Sequence, residues 1–428
     1  MRRLISLAAA LALGACAQQG FPPGGPPDKE PPKLLKTNPD TNARNVSDKE
    51  VDLQYDEVLS ERPGGASSLD ALVLISPRDG QPRVGWHRSR LTVRGHKDWK
   101  PNTTYTIDVQ PGISDLRGNA DKRGFRLIFS TGPRIAGGSI SGIVFDWPAG
   151  RPAPNALVEA VAHPDSTVYI DRADSLGHFT ISHIPPGSFT IVGWIDANTN
   201  HDLDPHELQD SLTLTLKDTA RVELLTFIHD SIGPHIVTVE VRDSLTLHAT
   251  FDKPVDPKQS FDSAHIMVRA ADSSLVPTKA IISAREVDKQ RADSVARADS
   301  IRAGHDTTFR RQYESQHRVP TDSNARAALR RAAVLATIAP SKPVPVSEVL
   351  IPLTRPLTPG ASYRVEAKDI HNLMGVTASS IRSFTVPKPA PPPPPQKNGA
   401  APPATTSPSA RPETPPPTRA DTAKKPPV

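Results

Sequence analysis

The sequence contains a single cysteine, Cys16, and few aromatic residues, which make up 5% of its 428 positions. One cysteine excludes an intramolecular disulfide, even in an oxidising compartment. Beyond the N-terminal segment, no stretch approaches the roughly eighteen consecutive apolar residues of a transmembrane helix. Hydrophobic residues amount to 36% and prolines number 47. This composition favours several small domains with disordered segments over one compact enzyme.

Motifs of the common catalytic classes are also missing. The sequence has no His-Glu-x-x-His zinc motif, no Gly-x-Ser-x-Gly elbow, no phosphate-binding loop and no Ser-x-x-Lys motif. The net charge is +5, but residues 387–428 carry six Lys/Arg against two acids and account for most of that excess. We therefore expect no catalytic residues and no nucleic-acid partner.

The N-terminal segment has the pattern of an export signal. Met1-Arg2-Arg3 supplies positive charge, Leu4–Ala15 is apolar but too short to span a bilayer, and small residues precede Cys16. The ending Leu13–Cys16 resembles the lipobox of bacterial lipoproteins. That resemblance implies a signal peptide at 1–15, fatty acylation of Cys16, a membrane partner through this anchor and a place in the cell envelope. Ala17 favours the outer membrane by analogy. The alternative is an ordinary signal with an unmodified cysteine.

Residues 16–31 are rich in proline and glycine and predict an extended tether. The next hundred residues, 32–132, contain short runs of apolar and alternating residues separated by turn residues, which predicts a β-sandwich. These runs are Val51–Tyr55, Leu72–Ile75, Arg90–Val93, Tyr105–Val109 and Phe125–Phe129.

Five ordered motifs make this segment resemble bacterial Ig-like domains of the SbsA type. We expect the Tyr105 ring to pack inside with its hydroxyl hydrogen-bonded near a corner, and Gly118-Asn119 to supply a positive φ in a turn. The motifs are Thr37–Asp40 with Asn45-Val46, Leu53–Val58, Pro101–Thr106, Ile113–Asn119 and Phe129–Gly132.

Residues 137–230 show a different β pattern. Asp174–Ile181 contains Asp-x-x-Gly-x-Phe, and Ile184–Val192 contains a hydrophobic residue followed by Pro-Pro-Gly. These motifs resemble the carboxypeptidase-regulatory-like or transthyretin-like β-sandwich. Such modules accompany many secreted proteins, and the resemblance implies no catalytic activity.

The first pattern returns in weaker form over residues 233–387, which predicts a degenerate second Ig-like domain. Its motifs are Leu245–Val255, Leu357–Val365, Asp369–Gly375 and Ser383–Val386. The whole chain is thus expected to be all-β, as tandem Ig-like and transthyretin-like sandwiches. Residues 388–428 are dominated by proline and predict a disordered tail.

An insertion at 284–345 interrupts the last domain and predicts two helices. Arg291–Arg302 is a polar near-repeat of good helix formers, and Asn324–Ile338 is the second candidate. Leu329, Val334 and Leu335 are expected on one side of the second helix. The insertion is either a binding arm or a solvated excursion.

One acidic loop has the spacing of a calcium-binding loop. Oxygen-bearing side chains fall at positions 1, 3, 5, 9 and 12 of residues 196–207, as in an EF-hand loop. His201 stands where such loops favour glycine, and the flanks have the pattern of strands. The alternative is a surface turn held by Asx hydrogen bonds, and carboxylate-rich surroundings disfavour zinc at His201 and His206. The candidate structural Ca²⁺ ligands are Asp196, Asn198, Asn200, Asp202, Asp204 and Glu207.

The order of these segments resembles a group of Ig-like lipoproteins of Bacteroidetes and related bacteria. The resemblance implies a non-catalytic, lipid-anchored envelope protein whose sandwiches act in binding, spacing or assembly, with an envelope protein or polymer as partner. The alternative is an accessory or regulatory subunit of a secreted hydrolase, or an enzyme with a hidden site.

Overall fold

The computed structural model describes residues 28–262, 264–306, 309–310, 312 and 322–388. The predicted signal, Cys16, most of the tether and nearly all of the Pro-rich tail lie outside these residues. Of the second unit of the chain, Pro387–Val428, only Pro387 and Lys388 are described. Strands form most of the regular structure in the described part, and the helices are confined to the insertion apart from one 3-10 turn, so the all-β prediction is confirmed.

The first sandwich packs two antiparallel sheets against each other, in the orders β1-β2-β5-β4 and β3-β6-β7. A single turn of 3-10 helix, Asp70–Leu72, leads into β3. The strands are β1 Leu34–Asn38, β2 Val51–Tyr55, β3 Val73–Ser76, β4 Arg83–His87, β5 Arg90–Arg94, β6 Thr104–Val109 and β7 Phe125–Ser130.

Alternation of side chains explains this core. In β2, Val51, Leu53 and Tyr55 are buried and the residues between them are partly exposed. Tyr105 and Phe129 pair across β6 and β7 with stacked rings 5.5 Å apart. The Tyr105 hydroxyl accepts a hydrogen bond from the backbone N–H of Lys100 at 2.8 Å, which confirms the expected corner.

The turn after β6 is closed by Asp115. Its Oδ1 accepts hydrogen bonds from the backbone N–H groups of Arg117 at 2.9 Å and Asn119 at 2.8 Å. Gly118 adopts φ 87°, which confirms the expected left-handed position. The side chain of Asp115 therefore satisfies donors that the sharp turn leaves without strand partners.

The second sandwich is one eight-stranded sheet in the order β11-β10-β13-β14-β15-β8-β12, with β9 paired to β8 and β15 parallel to β8. Residues of β8, β10, β12 and β13 share its buried core. A Cβ on Gly142 in β8 would stand 2.2 Å from the carbonyl oxygen of Val222 and 2.9 Å from the Phe179 ring, so this close pairing requires glycine. The strands are β8 Gly138–Asp146, β9 Arg151–Pro152, β10 Leu157–His163, β11 Val168–Arg172, β12 His178–Ile184, β13 Gly187–Trp194, β14 Leu208–Leu216 and β15 Thr219–Ile228.

The third sandwich has sheets in the orders β16-β17-β21-β20 and β19-β18-β22-β23. This repeats the order of the first sandwich and adds the short edge strand β19. The elements are β16 Ile236–Asp243, β17 Thr246–Val255, β18 Ile266–Ala270, β19 Leu275–Val276, β20 Ile282–Ser283, α1 Ala284–His305, α2 Ser323–Thr337, β21 Val346–Pro352, β22 Ser362–His371 and β23 Thr377–Thr385.

Asn372 closes the turn after β22. Its Oδ1 accepts from the backbone N–H groups of Met374 and Val376, both at 2.9 Å, and Gly375 adopts φ 78°. The turn thus occupies the end of the motif Asp369–Gly375, whose first three residues belong to β22, and Asn372 is its capping side chain.

The two insertion helices are largely exposed, and neither helix in the described chain has the length and apolar character needed to span a bilayer. Asp322 caps α2 by accepting from the N–H of Ala325 at 2.9 Å. Leu335 is half-buried, while Leu329 and Val334 are exposed. The expectation of one shared side is wrong for Leu329 and Val334, because five residues turn a helix by about 140°.

The segment after α2 packs on the second sandwich. Ile338 joins an apolar cluster with Trp147, and the Trp147 indole N–H donates to the carbonyl of Pro343 at 3.0 Å. The backbone N–H of Ser341 donates to Glu223 at 2.9 Å. The insertion is thus not wholly solvated, because its return segment connects the second and third sandwiches.

Candidate functional site

The acidic loop 196–207 joins β13 to β14 and is closed at its base by a buried carboxylate. Glu207 is only 5% exposed. Its Oε1 accepts from the N–H of Ala197 at 2.9 Å, and its Oε2 accepts from the N–H of Asp204 at 3.1 Å. This pair of bonds draws the two ends of the loop together.

Within the loop, side-chain oxygens are engaged by the loop's own donors. The Asn198 amide oxygen accepts from the N–H of Asn200 at 3.0 Å, and the Asn200 amide oxygen accepts from the N–H of Asp202 at 2.8 Å. The Oδ2 of Asp204 accepts from the amide groups of Asn198 at 2.6 Å and Asn200 at 3.1 Å. These are the Asx bonds of the surface-turn alternative.

Asp196 and His201 meet at the centre of the loop. His201 adopts φ 64°, so it takes up the left-handed conformation for which calcium loops use glycine. Its N–H donates to Asp196 Oδ2 at 3.0 Å. The other oxygen, Oδ1, is buried and accepts no hydrogen bond from the described residues.

The loop also contacts the first sandwich. Arg78 lies between two carboxylates of the second sandwich, pairing with Asp202 and, at 2.8 Å, with Glu159. The Gln81 side chain donates to the carbonyl of Asn200 at 2.8 Å. No local pattern indicated that the candidate calcium residue Asp202 pairs with an arginine far away in the chain.

Strand β3 makes the rest of this junction. The Arg78 N–H donates to the carbonyl of Val168 at 2.6 Å, and the N–H of Ile170 donates to Ser76 Oγ at 3.1 Å. Leu74 packs with Ile170 and Trp194 in a buried apolar cluster. All four residues of β3 are buried, which requires that both faces of the strand be covered.

A second ionic contact flanks β3. Arg126 pairs with Asp108 of its own sandwich and with Asp171 of the second sandwich at 2.9 Å. Burial raises the pKa of Asp171 to about 6, although Arg126 acts in the opposite direction. Both strand faces and two arginines therefore hold the first two sandwiches together.

Beside this junction lies a polar cleft of about 490 Å³ between the first two sandwiches. Arg172 and His201 line it from the second sandwich, and the Arg172 guanidinium donates to His201 Nε2 at 2.7 Å. Because arginine only donates, Nε2 accepts and the imidazole is neutral. Burial, followed by the charge of Arg172, lowers the pKa of His201.

An apolar cavity of about 360 Å³ lies between the second and third sandwiches. Phe227 and Leu373 line it, and the ion pair of Lys253 with Asp230, 2.5 Å long, is at its edge. Phe227 also packs against Trp147 with ring centres 5.8 Å apart. This junction is mainly apolar, in contrast to the ionic junction of the first two sandwiches.

Among the described residues, one group of three potential metal ligands is close enough for a single ion, and it lies outside the loop 196–207. It consists of Asp28, Glu57 and Asp115. Asp115 is already used as the turn cap described above. No three of the four carboxylates among the candidate calcium ligands, Asp196, Asp202, Asp204 and Glu207, form such a group.

Comparison with known proteins identifies one family. Residues 28–131 match the family described as bacterial Ig-like domain, and this match spans every strand of the first sandwich. It extends over less than half of the chain. None of the curated proteins matches the chain.

Solved structures show distant similarity only. The N-terminal part of the bacterial S-layer protein SbsC is 12% identical, with a TM-score of 0.18 and 44% of each chain covered. An L,D-transpeptidase from Mycobacterium smegmatis is 16% identical, with a TM-score of 0.18, covering 46% of this chain and 76% of the other. BcpA, the major pilin subunit of Bacillus cereus, is 11% identical, with a TM-score of 0.18, covering 46% and 71%.

The chain thus spans less than half of the SbsC fragment. With TM-scores this low, these similarities support no conclusion about fold or function. The classification of the first sandwich rests on the family match and on its own strand order.

Proposed function

We propose that this chain is a non-catalytic, lipid-anchored protein of the cell envelope whose β-sandwiches bind, space or assemble other envelope components. The observation that carries the proposal is the junction between the first two sandwiches. There β3 is buried on both faces, and Arg78 and Arg126 each pair with carboxylates of the second sandwich. Such a junction suits a spacer that presents surfaces at a fixed separation.

The anchor in this proposal is Cys16, at the end of the lipobox-like sequence. Several acyl chains anchor a protein firmly, since each buried CH₂ contributes about 0.8 kcal/mol. Metabolic labelling with an alkyne palmitate analogue tests this. We expect label and membrane association in the unaltered chain and loss of both in Cys16→Ala. Gln18→Ala, two residues further along, serves as the neighbouring control and should keep both.

Retention of label in Cys16→Ala would exclude the anchor. Protease digestion of intact cells then distinguishes a surface-facing from a periplasmic chain at the outer membrane. Copurification of a single hydrolase after mild detergent extraction would favour the accessory-subunit alternative. Hydrolysis of envelope polymers by the purified chain would overturn the non-catalytic assignment.

Structural calcium at the loop 196–207 is a separate proposal. It is supported by the acidic spacing and by the buried Oδ1 of Asp196, which has no partner among the described residues. A calcium titration followed by melting temperature tests it, with Glu207→Gln as the variant and magnesium as the control ion. No shift at millimolar calcium would exclude the site.

A further inference from the structure

Arg172, at the end of β11, carries a charge that no described carboxylate pairs with. It is half-buried in the cleft between the first two sandwiches. Its guanidinium donates to the neutral His201, and its Nε is buried without a partner among the described residues. By contrast, Arg78 and Arg126 nearby each contact two carboxylates.

Withdrawing a guanidinium from water is costly unless an anion compensates it. Burial lowers the pKa of Arg172, while Asp196, Asp108 and Asp171 act against this from beyond ion-pair distance. Asp108 and Asp171 are already engaged by Arg126. The unpaired charge of Arg172 is therefore available to an anionic ligand in the cleft.

The backbone of the cleft wall is strained. Asn155, Thr199 and His201 have φ of 60°, 59° and 64°, and all three line the cleft. A β-branched residue such as Thr199 is an outlier in this region. Strained residues of this kind cluster at ligand sites. The Asx bonds of the loop hold Thr199 and His201 in this conformation.

The remaining polar lining suits a polyhydroxylated ligand. Ser67 and Gln110 of the first sandwich face Asn155 and Thr199 of the second, and no carboxylate is among the described residues that line the cleft. A volume of about 490 Å³ is in the usual range of small-molecule sites. Hydroxyl and amide groups of this kind pair with sugar hydroxyls, which both donate and accept.

We propose that this cleft binds a carboxylate-bearing sugar unit, with the Arg172 guanidinium holding the carboxylate and the hydroxyl and amide side chains holding the ring. A guanidinium matches a carboxylate through two parallel hydrogen bonds. Because His201 is neutral, the lining offers one positive charge, which matches a carboxylate better than a phosphate dianion. This proposal rests on the envelope-binding function proposed above and specifies its ligand, since an envelope polymer would supply the sugar unit.

Isothermal titration of the purified full chain with tetragalacturonate tests the proposal, with maltotetraose as the neutral probe and inorganic phosphate as the other anion. We expect saturable binding of tetragalacturonate and at least about tenfold weaker binding of the other two. Arg172→Gln should weaken binding about tenfold or more, because a hydrogen-bonded charge is lost. The affinity of Arg172→Lys should fall between those of the unaltered chain and Arg172→Gln, since lysine keeps the charge but loses the paired donors.

Exposed Arg221 on β15 provides the matched control, and Arg221→Gln should bind as the unaltered chain does. If Arg172→Gln melts early, Gln110→Ala removes an amide from the opposite wall and should also weaken binding. Absent binding of tetragalacturonate, equal binding of maltotetraose or phosphate, or equal affinity of Arg172→Gln and Arg221→Gln would overturn the proposal. Palmitate labelling reports on the anchor separately, so failure of one proposal is distinguishable from failure of the other.

Discussion

The first and third sandwiches build the same strand order from the same local devices. Asp56 in the first exchanges two hydrogen bonds with the backbone of Lys33, at 2.8 and 3.1 Å. Asp252 does the same with His235, at 2.7 and 3.0 Å. Each bond pair joins the second strand, at Asp252 within β17 or at Asp56 just after β2, to the residue before the first strand. The two sandwiches therefore share polar contacts at corresponding points beside their apolar cores.

The corner tyrosine is the second shared device. The Tyr105 hydroxyl accepts from the N–H of Lys100, and the Tyr363 hydroxyl accepts from the N–H of Thr358 at 3.1 Å. Each tyrosine stacks on the phenylalanine of the neighbouring strand, Phe129 or Phe384. In both sandwiches the hydroxyl bonds a residue five positions earlier, so the corner has the same geometry.

The two sandwiches differ in the hairpin that precedes the central strand. In the first, β4 and β5 are joined through Arg88 and Ser89, with Arg88 at φ 60°. In the third, residues 284–345 stand at the same place, between β20 and β21. The tight turn is therefore dispensable for the fold, since β20 still pairs with β21 and the corner contact at Tyr363 is kept.

The cores differ in how deeply the shared aromatic pair is buried. Phe129 is fully buried and Trp99 packs on it at 5.6 Å, whereas Phe384 is half-buried. We expect Phe129→Ala to lower the free energy of unfolding by about 3–5 kcal/mol through cavity formation. Phe384→Ala should cost about 1–2 kcal/mol, because less apolar area is lost.

Differential scanning calorimetry of the full chain measures both effects and assigns a transition to each sandwich. The larger shift should belong to Phe129→Ala. Equal shifts would contradict the view that the third sandwich tolerates a looser core.

The corner hydrogen bond gives the next largest effect. Tyr105→Phe leaves the Lys100 N–H without its acceptor in a partly buried corner, which should cost about 1–2 kcal/mol. Tyr363→Phe should cost less than about 1 kcal/mol, since water replaces the acceptor at the exposed Thr358 N–H. Chemical denaturation of each variant beside the unaltered chain would measure the difference, and a larger loss for Tyr363→Phe would contradict the correspondence.

Local patterns were sufficient to predict the all-β fold and the corner at Tyr105. Alternation in β2 predicted which side chains are buried, and the Pro-x-Thr-Thr-Tyr sequence predicted the Tyr105 corner, because both depend on neighbours in the chain. The capping role of Asn372 was not predicted, because its side chain accepts from backbone N–H groups that only the folded turn brings to it.

Contacts between sandwiches were not predicted. The pairing of Arg78 with Glu159 joins residues far apart in sequence, and no local pattern indicates it. The sequence of β3 did contain one signal of such a contact. Leu74 lies within an apolar run, whereas a strand with one exposed face would carry a polar residue at that position. The cleft at Arg172 was missed for the same reason, since its walls come from two domains.

The corresponding positions Glu57 in the first sandwich and Lys253 in the third carry opposite charges, and exchanging these charges should have a smaller effect on stability. Glu57 in the first sandwich lies near Asp28 and Asp115, whereas Lys253 in the third pairs with Asp230 beside Asn372. We expect Glu57→Lys to raise the melting temperature of the first sandwich by about 1–3 °C, because it replaces repulsion by an exposed ion pair. Lys253→Glu should lower that of the third.

Calorimetry with the transitions assigned above measures this exchange, and Glu57→Gln separates loss of repulsion from gain of a pair. The expected result is opposite shifts in melting temperature. If Glu57→Lys instead lowered the melting temperature of the first sandwich as much as Lys253→Glu lowers that of the third, the two positions would not be equivalent.

The same positions should respond to pH in opposite directions, with the smallest effect. Burial, followed by the charges of Asp115 and Asp28, raises the pKa of Glu57, so its ionised form costs stability above that pKa and the cost is relieved on acidification. The hydrogen bond from Lys253 lowers the pKa of Asp230, so its contribution is present at neutral pH and is lost below about pH 4. Between about pH 7 and pH 5 the melting temperature of the first sandwich should therefore rise slightly, because Glu57 begins to bind a proton there. Asp230 stays ionised in this range, so the third sandwich keeps its ion pair. Glu57→Gln should reduce the rise, and the part that persists belongs to other groups such as Asp171, whose pKa burial raises to about 6. An undiminished rise in Glu57→Gln would exclude Glu57 as its source.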